Sequence, residues 1–278
     1  MISLLPFHWH LPELILVGVV GWLHWVTVTE HRKRLQMLGA LAAFIVVTIW
    51  PVGDLAATVS LTVATVQRLV IMLVVAPLIL LSTPTSVLVR LTRPAPVDAV
   101  VRRLAHPGVA IILVTVLGTY TLSTPVVDWG ARSGLGRDVI LALVLFVGLV
   151  LWTPALAIMP GAKRLSPAAR AGFIFGSAVV VTSLSFIWIF AQHSLYPALQ
   201  HQHELLHMTP VFDQQLAGFV AKLGSYIPMW AVAFTVFFRA DDAGSSVDES
   251  PLHWADVERQ LLRVDRQRAR AIRRHRPQ

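Results

Sequence analysis

Long apolar segments separated by short charged connections constrain this chain more than any other feature of its sequence. Each segment holds enough apolar residues to cross a hydrocarbon core of about 30 Å as a helix. With 14% charged residues and a mean hydropathy of +0.67, the composition is far from the ~25% charged residues of soluble domains. The sequence predicts an all-α integral membrane protein, a seven-transmembrane-helix bundle with spans near 11–29, 35–50, 55–81, 109–123, 139–159, 173–192 and 214–238.

The basic residues indicate the orientation of the bundle. The first, third and fifth connections carry three, four and three Lys or Arg, and nine lie from Arg239 onward, whereas the second, fourth and sixth carry zero, two and zero. Because cytoplasmic loops are enriched in Lys and Arg, we expect the N-terminus outside and the C-terminus in the cytoplasm. The expected location is the bacterial inner (cytoplasmic) membrane, as a multi-pass protein.

Two domains are expected. Residues 1–239 would form the seven-span membrane domain, and 240–278 a basic cytoplasmic tail. In the tail, Trp254, Val257, Leu261 and Val264 recur at the spacing of one helical face, which predicts an amphipathic helix. Such a helix suits the lipid surface or a partner subunit.

Several function classes lack their sequence signals. The chain has no cysteine, so it can form no disulfide or thiolate metal site. We find no nucleotide-binding loop, zinc-protease helix or catalytic triad pattern, and no mid-span carboxylate of the kind that proton carriers use. The net charge of +8 is explained by topology, so we expect neither an enzyme nor a nucleic-acid-binding protein.

Two cations fall inside predicted spans, Arg68 beside Gln67 in the third and Lys222 in the seventh. A charge at bilayer depth costs roughly 2.5–3.5 kcal/mol on insertion scales. No mid-span Asp or Glu can neutralise them, so we expect a partner subunit, a lipid phosphate, a bound anion or backbone carbonyls. Arg68, Gln67 and Lys222 are therefore predicted partner-binding residues, together with Asp213, Gln214 and Gln215 at the start of the seventh span.

Histidines gather in the sixth connection, on the predicted outer face. His201, His203 and His207, with Met208, form a candidate metal site, since imidazole and thioether donors suit copper and a four-residue helical spacing lets two histidines share one ion. The alternative is that they form hydrogen bonds or contact another protein. His24, alone in the first span, is expected to be a hydrogen-bonded packing residue.

Several local strings occur in an order that resembles one known family. They are Pro51-x-x-Asp54 ahead of the TVQRLVIMLVVAPLILL span, Leu151-Trp152-x-Pro154, the RLSPxAR string at 164–170, Leu195-Tyr196-Pro197 and the DQQLAG string at 213–218. Together they resemble the CtaG family of cytochrome c oxidase assembly factors, bacterial multi-span proteins linked to copper insertion. The resemblance covers residues from about 50 to 238.

The departures from the family pattern concern its histidines. The paired histidines of the third span fall on Ala64 and Arg68, a third falls on Ser123, and a Glu-His pair falls on Ile140 and Leu141. The family's Met-Trp pair after DQQLAG falls on Ala221 and Lys222. None of these residues supplies a copper donor, so the metal site that the resemblance implies is expected to be missing.

The resemblance implies a non-catalytic protein that binds a membrane complex, a haem-copper oxidase in the first place, as an assembly factor or a retained accessory subunit. No cofactor is expected in that case. The alternative is a copper-handling metallochaperone that uses the outer histidines. A small-solute permease is a third option.

Overall fold

The computed structural model of this protein describes residues 10–158, 165–199 and 205–248, with no side-chain detail from 240 onward. Among these residues all regular structure is helical. We number the helices in chain order as α1 Leu11–Thr27, α2 His31–Thr48, α3 Val52–Thr58, α4 Leu61–Ser82, α5 Thr85–Thr92, α6 Ala95–Leu104, α7 Pro107–Tyr120, α8 Thr124–Arg132, α9 Gly134–Leu156, α10 Pro167–Val181, α11 Ser185–Ile189 and α12 Pro210–Asp248.

Four stretches are long and apolar enough to cross a membrane, namely Leu61–Ser82, Gly134–Leu156, Pro167–Ile189 and Pro210–Arg239. The number rises to six if two bent pairs each form one span: α2 with α3, bent by 52°, and α6 with α7, bent by 83°. Helix α1 is apolar but has only 17 residues. The all-helical prediction is therefore confirmed, with four to six candidate spans, whereas seven spans and the orientation of the termini stay predictions.

Helix α4 lies at the centre of the fold and packs against α2 on one side and α9 on another. Between Ile71 and Val75 it widens into a π-helical turn, and the indole of Trp152 on α9 donates a hydrogen bond of 2.8 Å to the Met72 carbonyl there. Gly148 lets the helices approach closely, since a Cβ at this position would lie 2.8 Å from Ala76 Cβ. The Leu151-Trp152-x-Pro154 string thus fixes how α9 meets α4.

The two main clusters of buried side chains share α4 and α9. One joins Ala40 and Phe44 of α2 to Ile71 of α4 and Leu141 of α9. The larger one lies on the opposite side of α4 and adds side chains of α7, α10 and α12. Burial of these apolar groups holds α4 against α9, and a third cluster contains Trp188 and Tyr196 of the candidate site described below.

Helix α1 buries polar residues and exposes apolar ones. Its buried residues are Glu13 and His24, whereas Ile15 and Val26 are more than 60% exposed. His24 Nε2 lies 3.1 Å from the Ser82 carbonyl, a hydrogen-bonded packing role of the expected kind. This inverted pattern suits a helix whose outer surface meets lipid, because lipid tails are as apolar as the side chains.

Two segments are more helical than the sequence predicted. The stretch after Pro51 forms a separate helix, α3, and the chain breaks before α4 begins at Leu61. The fourth connection between the predicted spans contains α8. Helix α3 begins after its N-cap residue Pro51. Helix α8 begins at Thr124 after the N-cap Ser123, and Pro125 lies in its first turn, where proline is favourable.

By its contacts the chain divides into two compact units, 1–236 and 237–278. The first contains α1 to α11 and most of α12. In the second the structure describes only the end of α12. The expected boundary at 239 and 240 and the amphipathic tail helix stay predictions, because residues 249–278 lie outside the described part of the chain.

A candidate functional site around Arg68

Arg68 lies half-buried on α4 and points to the C-terminal end of α7. Its Nη1 donates to Thr121 Oγ1 at 2.7 Å and its Nη2 donates to the Thr121 carbonyl at 2.8 Å. The last carbonyls of a helix carry partial negative charge and lack intrahelical partners. The sequence left several environments open for this cation, and the structure shows contact with a backbone carbonyl. Within the described residues, no Asp or Glu forms an ion pair with Arg68.

Tyr196 completes the same helix end. Its hydroxyl donates to the Leu122 carbonyl at 2.7 Å and lies 3.1 Å from Trp188 Nε1, which donates to it. Burial raises the pKa of the Tyr196 phenol, so the group stays protonated and remains a donor. The Leu195-Tyr196-Pro197 string therefore holds the residues that follow α7, next to Arg68.

A small cavity of about 50 Å³ collects most of the positions that the resemblance assigns to metal ligands. Ala64 and Arg68 of α4 and Ile140 and Leu141 of α9 all line it, beside Gln67. The pair on α4 and the pair on α9 lie more than 70 residues apart in sequence. Their convergence therefore depends on the packing of α4 on α9. A second cavity of about 90 Å³ lies on the other side of Arg68 and includes Ala221.

The residues around the smaller cavity do not fit a copper ion. Among the described residues its lining has no imidazole, thiolate, thioether or carboxylate, and it has two guanidinium groups, those of Arg68 and Arg137. Copper sites use soft or imidazole donors, and a fixed positive charge repels a cation. We derive no chemistry through a metal here.

Gln67 and the start of the DQQLAG string form contacts inside the chain. Gln67 Nε2 donates to the Val47 carbonyl at 2.7 Å. Gln214 accepts from the Leu195 backbone N–H at 2.8 Å, and Gln215 donates to the Ala191 carbonyl at 3.0 Å. Asp213, 1% exposed, bonds to the start of α4. These four residues position elements of the bundle, and their contact with a partner stays a prediction.

Lys222 has an aromatic environment. Its Nζ lies 3.9 Å from the ring centre of Phe186 and 4.8 Å from that of Tyr226. The atom is buried and has no hydrogen-bond partner among the described residues. Cation–π contacts of this kind contribute about 0.5–2 kcal/mol, which offsets part of the cost of its burial.

The predicted outer metal site is only partly within the described chain. His201 and His203 lie outside it. His207 is exposed and adopts a left-handed backbone with φ of 53°, and Met208 follows it. Across residues 10–158, 165–199 and 205–248, no group of three or more His, Asp or Glu side chains could hold a metal ion. Copper binding at this site stays a prediction.

Sequence reasoning missed a buried polar cluster that joins α1, α3 and α9. Arg137 Nη1 donates to Asp54 Oδ1 at 2.7 Å, and His10 Nε2 lies 3.3 Å from Asp54 Oδ2. His10 Nδ1 lies 3.5 Å from Glu13. The sequence does place Glu13 and Asp54 near the predicted outer ends of their spans. It does not predict the pairing of Asp54 with Arg137, which lies 83 residues later.

A family model described as cytochrome c oxidase caa3 assembly factor (Caa3_CtaG) matches residues 14–241. No curated protein and no solved structure matches the chain significantly.

Proposed function

The chain belongs to the family of cytochrome c oxidase caa3 assembly factors, and from this premise we propose that it is a non-catalytic membrane protein that binds a haem-copper oxidase. In this proposal it serves as an assembly factor or a retained accessory subunit in the bacterial inner membrane. It does so without the family's intramembrane metal site. The family match over residues 14–241 is the observation that carries the proposal.

The cavity at the family's ligand positions supports the absence of a metal-transfer role. Ala64, Ile140 and Leu141 offer only hydrocarbon, and Arg68 is a cation that donates two hydrogen bonds to Thr121. The scaffold strings that remain have structural contacts: Trp152 holds α9 on α4, and Asp213 holds α12 at the start of α4. In this proposal the chain keeps residues that maintain the fold, whereas Ala64, Arg68, Ile140 and Leu141 at the family's ligand positions offer no copper donor.

The exposed face of α12 is the proposed contact surface. Of the long candidate spans, Pro210–Arg239 is the least covered by its own chain, with 17% of its apolar window buried against 33–61% for the others. Phe219, Leu223 and Ile227 are more than half exposed on it. A partner helix that binds this face would replace its lipid contacts by van der Waals packing, which is one of the forces that associate helices in a membrane.

The test is a pull-down of the full-length protein through its C-terminus in mild detergent, followed by protein identification and metal analysis. We expect oxidase subunits in stoichiometric amount and no copper bound to this chain. Ile227→Trp on α12 should abolish copurification, whereas Ile112→Trp, on the exposed face of α7, should not. Failure to recover any oxidase, or stoichiometric copper on the isolated chain, would contradict the proposal.

A further inference from the structure

The larger cavity next to Arg68 has an almost entirely aliphatic wall. It has a volume of about 90 Å³ and lies between α4, α7, α9, α10 with α11, and α12. Leu69, Met72, Val147, Leu151 and Met229 are typical of its lining. Cavities of this composition with a few placed polar groups are the usual form of a small-molecule site.

The hydroxyl groups in the cavity wall already donate their protons to the backbone. Each of the five, on Thr65, Thr121, Thr182, Ser185 and Ser225, donates to a carbonyl three or four residues earlier. The Trp188 indole N–H donates to Tyr196. None of these groups has a proton left for a ligand.

Arg68 is different, because a guanidinium has five N–H donors and the described residues accept from only two of them, both at Thr121. No carboxylate of the described residues pairs with it. The cavity therefore has one cationic donor at its edge, with N–H groups to spare, and a hydrocarbon wall beyond it. The planar guanidinium matches a carboxylate with two parallel hydrogen bonds.

We propose that this cavity binds the carboxylate head of a fatty-acid-like amphiphile from the membrane. The carboxylate neutralises Arg68, and the first methylenes of the chain contact the aliphatic wall. The cavity volume of about 90 Å³ is well above the roughly 10–15 Å³ that a single water needs, so the space can take a carboxylate and the first part of a chain. A hydrated inorganic ion fits less well, since the wall has no further donors to replace its water.

The experiment is equilibrium dialysis of the delipidated full-length protein, in non-ionic detergent, against radiolabelled decanoate. We expect one saturable site per chain. Arg68→Gln should weaken binding by about tenfold or more, because it removes charge-assisted hydrogen bonds. Arg132→Gln is the matched control: its side chain is 75% exposed on α8, outside the cavity, and its variant should bind like the wild type.

Two further arms use the wild type alone, so that the test does not depend on the folding of the Arg68 variant. Decanol, which has the same chain and no charge, should compete at least about tenfold more weakly than decanoate. Chloride at equal concentration should not compete. Equal binding of decanol, competition by chloride as strong as by decanoate, or unchanged binding in a folded Arg68→Gln variant would each overturn the proposal. The outcome is independent of whether the chain copurifies with an oxidase.

Discussion

Asp213 shows how a single side chain can connect distant parts of this bundle. Its carboxylate accepts from the Leu61 backbone N–H at 2.7 Å, from the Thr62 N–H at 3.2 Å and from the Ser60 hydroxyl at 2.7 Å. These groups form the N-terminus of α4, where N–H groups lack intrahelical partners and a negative charge is favourable. Asp213 thus caps a helix that begins 152 residues earlier.

Asp213→Ala should lower the free energy of unfolding by about 2–4 kcal/mol, because it leaves two buried donors and one part-buried donor without this acceptor. Thermal unfolding of the purified protein in detergent measures the loss. Glu30→Ala is the control: Glu30, the N-cap residue of α2, is 62% exposed, and its ion pair among the described residues is with Lys33, so its removal should cost less than about 1 kcal/mol. Equal melting temperatures for the two variants would contradict this role of Asp213.

The buried pair of Arg137 and Asp54 makes a second residue-scale prediction. Arg137→Met leaves Asp54, 1% exposed, without its guanidinium partner at 2.7 Å. Removing one member of a buried ion pair costs about 3–5 kcal/mol.

We therefore expect a strong loss of thermal stability in Arg137→Met, measured by the same unfolding assay. Arg132→Met is its neighbour and control, because Arg132 is exposed and lies 3.7 Å from Asp128; it should change stability by less than about 1 kcal/mol. If Arg137→Met and Arg132→Met lower the melting temperature equally, the pair of Arg137 and Asp54 contributes no more to stability than an exposed ion pair.

Among the elements, the contact between α4 and α9 depends most on local geometry. A π-helical turn displaces the backbone hydrogen bonds of α4 at Ile71–Val75 and is frequent at functional sites. The indole of Trp152 satisfies the Met72 carbonyl there. Because Arg68 lies one turn before Met72, this contact also fixes the position of the guanidinium between its two cavities.

Trp152→Phe keeps an aromatic ring and removes the N–H. We expect it to destabilise the protein by about 1–3 kcal/mol, since a buried carbonyl loses its donor. We also expect it to lower the affinity for decanoate. Trp129→Phe, with a side chain 42% exposed on α8, should leave both unchanged. Thermal unfolding and the dialysis assay measure the two effects. A Trp152→Phe variant as stable as the wild type would show that the indole hydrogen bond does not stabilise the contact between α4 and α9.

At the scale of the whole molecule, charge and burial agree on a membrane bundle. Apolar side chains cover the outer surface of α1, α7 and α12, with Ile15, Ile112 and Ile227 more than 60% exposed. The connections that carry Lys and Arg alternate with those that carry few. The buried cluster of His10 and Asp54 and the cap at Asp213 lie in connections on the predicted outer side.

The predicted orientation can be measured directly, because the natural chain has no cysteine. Thr209→Cys, in the sixth connection, should react with a membrane-impermeant maleimide in intact spheroplasts. Arg32→Cys, in the first connection, should react only after lysis. Both positions are exposed. Reversed labelling, or labelling of both in intact cells, would overturn the orientation that the Lys and Arg distribution predicts.

The sequence by itself determined that the chain is helical, that it is rich in membrane-length apolar segments and that Arg68 has no mid-span carboxylate. Only the tertiary structure decided that Arg68 rests on Thr121, that Asp213 caps α4 and that Ala64, Ile140 and Leu141 meet at one cavity. The reason is physical. In lipid both faces of a helix are apolar, so the hydrophobic pattern has little information on which face packs. Helix pairing depends instead on small residues, helix ends and a few polar contacts between residues far apart in sequence.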